Sequence, residues 1–301
     1  MRGMSNIEIH NLTKRYGAIT AVDDLSFEVA SGRVTGFLGR NGSGKSTTMR
    51  MMLGLAAPTS GTVTFSGRSY EELTEPVRQV GAAIDANVFH PGRSGEQHLK
   101  VMATAAGIPH RRVGEVLAAV ELDSAAERRV GGYSMGMRQR LALAGALLGD
   151  PPVVLLDEPL NGLDPDGIAW VRVTMRRLAA EGRTVFLSSH LLAEVATTVD
   201  DVVVIERGRL VAAMPLANLA AHNNTVVRTP HADAMAIALT AAGHEIVRTA
   251  PDEITVIDVK AELVGLIAAR EGVAILSLVE ERDDLEEIFH QLTNTNQEVM
   301  S

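Results

Sequence analysis

The sequence predicts an α/β protein in two units: a large one built on a mostly parallel sheet covered by helices, and a small α+β unit after it. Three observations carry this. Continuous apolar segments alternate with helical ones through the first two thirds of the chain, the pattern of strands buried on both faces. A Gly-rich loop, Gly39-Arg40-Asn41-Gly42-Ser43-Gly44-Lys45-Ser46, stands between an apolar strand and a helix. After about residue 225 the order becomes βαββαβ, the split-βαβ arrangement.

In chain order, residues 7–12 and 25–29 alternate apolar and polar and read as strands, with a turn at Lys14-Arg15-Tyr16-Gly17 between them. Residues 34–38 are an apolar strand running into the Gly-rich loop, residues 47–55 have helical character, and residues 61–65 form another strand. From about 92 to 149 the chain is mainly helical, with apolar residues at helical spacing in 97–106, 112–120 and 138–148. Strands return at 153–156 and 184–188, separated by a helix at 167–180, and a hairpin around Arg207-Gly208 joins 202–205 to 209–213. Asn223-Asn224 interrupts the pattern near 220–224, which sets the units at 1–220 and 225–301. In the second unit, strands are expected at 225–228, 244–248, 254–259 and 273–279, helices at 232–242 and 261–270, and a last amphipathic helix at 283–292.

Composition narrows the function. Hydrophobic residues are 46% of the 301 and aromatics 3%, so a large core is expected and it should be aliphatic. Net charge is −9, and the arginine pairs Arg111-Arg112, Arg128-Arg129 and Arg176-Arg177 read as solvated helix faces, so no nucleic-acid partner is expected. The absence of cysteine excludes disulfides, thiolate metal sites and cysteine nucleophiles. The first ten residues hold no apolar h-region, and no window approaches the ~18–20 apolar residues needed to span a bilayer. Neither a signal peptide nor a transmembrane segment is expected, and residues 141–148 read as a buried helix.

The chemistry concentrates in two places. The loop 39–46 fits the phosphate-loop pattern, which arises by chance in roughly one chain of this length in 250. Its glycines let backbone N–H groups turn inward toward phosphate oxygens, and the following helix adds its positive end. Lys45 supplies a charge to the β and γ phosphates of ATP, Ser46 offers a hydroxyl to Mg2+, and Thr47 continues the loop. In the second place, Val153-Val154-Leu155-Leu156 delivers Asp157 and Glu158 to a strand end, where α/β sheets bind ligands. Asp157 suits the Mg2+ shell and Glu158 suits polarising the attacking water, although an apolar strand ending in two acids is weak evidence by itself.

Taken together these motifs resemble the nucleotide-binding subunits of ABC transporters, in that family's order, across residues 5 to about 215. The resemblance implies a P-loop NTPase with a RecA-like core, an antiparallel β subdomain and an inserted helical subdomain at about 92–149. It implies that Tyr16 stacks on adenine. Tyr133-Ser134-Met135-Gly136-Met137 is similar to the signature motif, usually Leu-Ser-Gly-Gly-Gln, and Ser134 and Gly136 would contact the γ phosphate bound to the opposite subunit. Asn161-Gly162-Leu163-Asp164 resembles the loop joining the two active sites, and His190 after Ser188-Ser189 the switch histidine that senses the γ phosphate. Asp85 stands where the family's glutamine is usual and would serve as a further Mg2+ ligand. Asp85, the altered signature and the tail at 284–293 are similar to the bacitracin- and daunorubicin-type drug exporters.

The implied protein is an ATPase on the cytoplasmic face of the cell membrane. It would work with a separate transmembrane permease and form a head-to-tail dimer with a second copy or a paralogue. A soluble ABC ATPase without a transporter and a non-enzymatic ATP-gated module are the other readings; the first usually carries two cassettes, long coiled coils or zinc cysteines, and the second does not need Glu158 and His190.

Overall fold

Alternating burial along the first strands produces an antiparallel sheet. In the computed structural model, which describes residues 6–84, 89–219 and 223–282, β1 (Ile7–Tyr16), β2 (Ile19–Val29) and a later strand, β4 (Ser60–Phe65), pair in the order β2-β1-β4. The expected turn at 14–17 is instead strand as far as Tyr16. Register shifts after Ile9, Leu12 and Lys14 carry the pairing past the point where alternation fails in the sequence, as β-bulges do. The reversal is confined to Gly17 and Ala18, with Gly17 at φ 57°.

Continuous apolar runs make the second sheet. β3 (Val34–Leu38), β5 (Val80–Ala83), β6 (Val153–Leu156), β7 (Thr184–Ser189), β8 (Asp201–Glu206) and β9 (Arg209–Pro215) lie in the order β5-β6-β7-β3-β8-β9. The pairs β5–β6, β6–β7, β7–β3 and β3–β8 are parallel. β3, β6 and β7 are buried along their whole length, as a sheet covered on both faces requires. β5 was not visible as a strand in the sequence, because four residues with a glycine and two alanines carry no period. Its pairing with β6, Val80↔Val153 to Ala83↔Leu156, defines it.

Helices fill the rest of this unit. α1 (Lys45–Met52) follows the Gly-rich loop, starting two residues before the expected helix and ending three sooner. α2 (Gly95–Ala105), α3 (Arg111–Ala119) and α4 (Met135–Leu147) form the helical stretch, and α5 (Pro165–Ala180) and the short α6 (Leu192–Val195) flank β7. Leu141 and residues 143–147 of α4 are buried, in keeping with a core helix. Arg140 of α4 stacks on Trp170 of α5 at 4.2 Å from the ring centroid and pairs with Glu121 at 2.6 Å. That contact ties the helical stretch to the sheet-bound helix.

One core joins both sheets. Ile7, Ile9, Leu12, Leu25 and Val29 of the antiparallel sheet pack with Met49 and Met52 of α1 and with Leu155, Val203 and Ile205 of the parallel one. The expectation of an aliphatic core needs one amendment. Phe27, Phe37 and Phe186, with ring centroids 5.1–6.0 Å apart, sit at its centre and bridge the two sheets.

The chain divides into two compact units, Met1–Met214 and Pro215–Ser301. The second opens with α7 (Leu216–Leu219). β10 (Asn223–Arg228), α8 (Ala232–Ala241), β11 (Ile246–Ala250), β12 (Glu253–Val256), α9 (Ala261–Glu271) and β13 (Ser277–Arg282) follow in βαββαβ order. Its sheet runs β11-β12-β10-β13, with β11–β12, β12–β10 and β10–β13 antiparallel, so β12 is inserted between the two strands that α8 connects. Asn223-Asn224 does not break the pattern. Both residues begin β10, opposite Arg282 and Glu281, because ladder pairing overrides their weak strand preference. The helix expected at 283–292 lies outside the described residues.

Gly81 places β5 under α4 at a distance no side chain tolerates: a Cβ there would lie 2.0 Å from the Ala146 carbonyl oxygen. Gly81→Ala is expected to cost about 1–3 kcal/mol, the scale of overpacking, read as a fall in urea midpoint; an unchanged midpoint would contradict the packing described.

Candidate active site

Strand order assembles the site. β6, β7 and β3 are neighbours with Leu156↔Leu187 and Leu38↔Ser189 in register. Their carboxyl ends therefore deliver three different segments to one place: Asp157-Glu158 after β6, His190 after β7 and the Gly-rich loop after β3.

The loop is shaped by two glycines that nothing else can replace. A Cβ on Gly39 would lie 2.4 Å from Ser43 Oγ and 2.5 Å from the Ile205 carbonyl oxygen. Gly44, at φ 109°, would bring a Cβ to 2.5 Å from the Ala21 carbonyl oxygen. Gly44 is also the N-cap of α1 and supplies no side-chain cap, so the first N–H groups of that helix stay available to an anion. Ser43 Oγ is buried without a hydrogen-bond partner among the described residues, a donor waiting for an acceptor. Arg40, Asn41, Gly42 and Ser46 are exposed around this cradle and Thr47 is half-buried. These features fit a polyphosphate.

Lys45 is the centre of the charge arrangement. It is only 5% exposed. Its Nζ donates to the Gly39 carbonyl at 2.6 Å and the Arg40 carbonyl at 3.4 Å, and lies 3.3 Å from Glu158 Oε1. The other carboxylate oxygen, Oε2, is 2.9 Å from His190 Nδ1. Glu158 thus links the phosphate-loop lysine to the histidine.

The backbone of Glu158 is unusual: it takes φ 47°, a left-handed conformation that a glutamate rarely adopts. Ser188 holds it there. Its Oγ accepts the Glu158 N–H at 2.8 Å and donates to Asp157 Oδ1 at 2.5 Å. The Asp157 N–H in turn donates to the Ala83 carbonyl of β5 at 2.9 Å. The Asp157 carboxylate and the Glu158 backbone are therefore held by the neighbouring strands β7 and β5. Backbone strain of this kind collects at functional sites. In the sequence Ser188 carries one signal for this role, a hydroxyl residue two before His190 at a strand end.

Other residues singled out in the sequence fall elsewhere. Tyr16 ends β1 at 51% exposure with Lys14 Nζ 4.9 Å from its ring centroid. Its aromatic face is accessible, and Ala21 in the same hairpin packs on Gly44 beside the phosphate loop. Ser134 is the N-cap of α4, its Oγ accepting the Met137 N–H at 3.2 Å, and Gly136 lies in the first turn. Tyr133 before them is buried; its hydroxyl donates to the Ala125 carbonyl at 2.7 Å, and burial pushes its pKa up. This segment meets the loop after Glu158 through Met135 and Leu163. Asp85 lies outside the described residues.

The profile of a family described as ABC transporter matches residues 22–161, and one described as a domain of unknown function matches residues 223–286. The bacitracin transport ATP-binding protein BcrA of Enterococcus faecalis is 35% identical over 294 residues, covering 95% of this chain and 96% of that one. Its counterpart in Bacillus licheniformis is 40% identical, with 72% of each chain covered. A solved ATP-binding subunit of an ABC transporter superposes with a TM-score of 0.64 at 30% identity, over 71% of this chain and 91% of that one.

Ser188→Ala is expected to keep the fold, by circular dichroism, and to lower ATP turnover about 10–100-fold, the scale of losing an orienting hydrogen-bond partner. Turnover at the wild-type rate would contradict the orienting role.

Proposed function

This chain belongs to the ATP-binding subunits of ABC transporters, and we propose that it is the motor of an exporter. It sits peripherally on the cytoplasmic face of the cell membrane and drives a drug, lipid or other small molecule outward through a separate permease. It pairs head to tail with a second copy or a paralogue. No helix among the described residues is long and apolar enough to cross a membrane, which fits a transmembrane path supplied by another protein. Similarity to a bacitracin transport subunit over 95% of the chain supports export, since it includes the C-terminal unit. Units of about 1–220 and 225–301 are the proposed division of labour, ATPase first and accessory domain second.

The observation that carries hydrolysis is the Lys45–Glu158–His190 chain of contacts at adjoining strand ends. ATP enters with its phosphates in the cradle of residues 39–46 and its adenine on Tyr16. Lys45 then exchanges the Glu158 carboxylate for phosphate oxygens, which leaves Glu158 free of its cation. Glu158 accepts a proton from the attacking water, and His190, hydrogen-bonded to it, positions the γ phosphate. Ser134 and Gly136 act on the ATP held by the opposite subunit. Ser46 and Asp157, with Asp85 as a third oxygen donor, would hold Mg2+; hard oxygen ligands suit that ion, which binds through one or two carboxylates together with substrate phosphates. When bound it neutralises charge that develops on the phosphates.

Glu158→Gln is expected to bind ATP as the wild type does and to lose at least ~100-fold in turnover, the scale of removing a positioned base. A steady-state ATPase rate near wild type would rule out Glu158 as that base.

A further inference from the structure

The signature segment departs from the family's pattern at Met135, and the structure gives that departure a neighbour. Met135 is the first residue of α4 and is 52% exposed. Its sulfur lies against the α-carbon of Gly162: a Cβ on Gly162 would be 2.4 Å from Sδ and 3.4 Å from Cε. One residue on, the contact repeats with the partners reversed, since a Cβ on Gly136 would lie 3.8 Å from Leu163 Cδ2. Two consecutive residues of the signature thus pack on two consecutive residues of the loop that follows Glu158.

That loop is short and hydrogen-bonded at both ends. The Asn161 N–H donates to the Glu158 carbonyl at 3.2 Å and the Leu163 N–H to the Leu160 carbonyl at 3.3 Å. Asp164 then caps α5 by accepting the Gly167 N–H at 2.8 Å. Gly162, at φ 72°, is the turn that brings the loop under Met135. A continuous series of contacts therefore runs from α4 through Met135 and Gly162 to the strained backbone of Glu158, and through its carboxylate to Lys45 and His190.

We propose that Met135 is a positioning residue that couples the signature segment, in contact with one ATP, to the Glu158 that hydrolyses the other. Glycine at this position would leave Gly162 uncovered. The unbranched thioether fills the space above it and still slides over a glycine surface as the loop moves. A displacement of Ser134 and Gly136 by the opposite subunit's nucleotide then displaces Gly162, and with it the backbone that aims Glu158. This rests on the head-to-tail reading given above.

The test compares Met135→Ala and Met135→Leu in the full chain. ATPase is measured against ATP concentration, melting temperature is recorded, and ATP-dependent dimerisation is followed by light scattering in the Glu158→Gln background. The proposal expects Met135→Ala to lower kcat about fivefold or more, the low end of an allosteric coupling. It also expects the Hill coefficient to fall to about 1 with half-saturation changed by less than about twofold, because coupling rather than binding is lost. Met135→Leu, which refills the space, keeps both values. Unaltered kcat and Hill coefficient in Met135→Ala would overturn the role, as would equal losses in both variants tracking a fall in melting temperature. A Glu158→Gln chain that stays monomeric with ATP would overturn head-to-tail pairing with a second copy, and with it the coupling between two copies of Met135.

Discussion

A buried ammonium must be surrounded by acceptors, and the site is organised around that requirement at Lys45. The residue begins a helix whose N-terminus repels cations, so its side chain cannot rest there unassisted. It is satisfied by two loop carbonyls and by Glu158. Each of those partners is held by something else. The loop carbonyls exist in that orientation because Gly39 and Gly44 let the chain close to within contact of Ser43, Ile205 and Ala21. Glu158 reaches across because Ser188 holds its backbone in a left-handed conformation. The parallel sheet makes both possible by setting β6, β7 and β3 side by side.

This arrangement also links the Lys45 ammonium to the Glu158 carboxylate. The charged groups that nucleotide binding will use engage one another, Lys45 with Glu158 and Glu158 with His190, and phosphate oxygens can replace the carboxylate as partners of the ammonium. Exchange of one set of charge-assisted contacts for another costs little, whereas leaving Lys45 buried and unpaired would cost several kcal/mol. Binding and release of the base are in this way the same event.

Much of this was legible in the sequence, for reasons that differ by element. The phosphate loop could be read because its function requires glycines and a lysine at fixed spacing. β6 and β7 could be read because strands buried on both faces are continuously apolar. The split-βαβ order of the second unit could be read from two helical periods, although β11 and β13 begin two and four residues later than expected and end two and three residues later. Less visible were features that depend on register. The extension of β1 to Tyr16 runs through bulges, β5 has no period of its own, and the contribution of Ser188 exists only once β6 and β7 are neighbours. The contact between Met135 and Gly162 joins positions that no local pattern links. In the sequence Met135 reads only as a departure from a motif.

The most direct test of the central claim is calorimetry of ATP binding to Lys45→Ala beside the wild type. If the Lys45 ammonium is the group that phosphate takes over from Glu158, ATP affinity should fall at least about tenfold, one charge-assisted interaction being worth ~1.5–3 kcal/mol, while melting temperature without nucleotide stays close to the wild-type value. Undiminished ATP affinity in the folded variant would contradict the account.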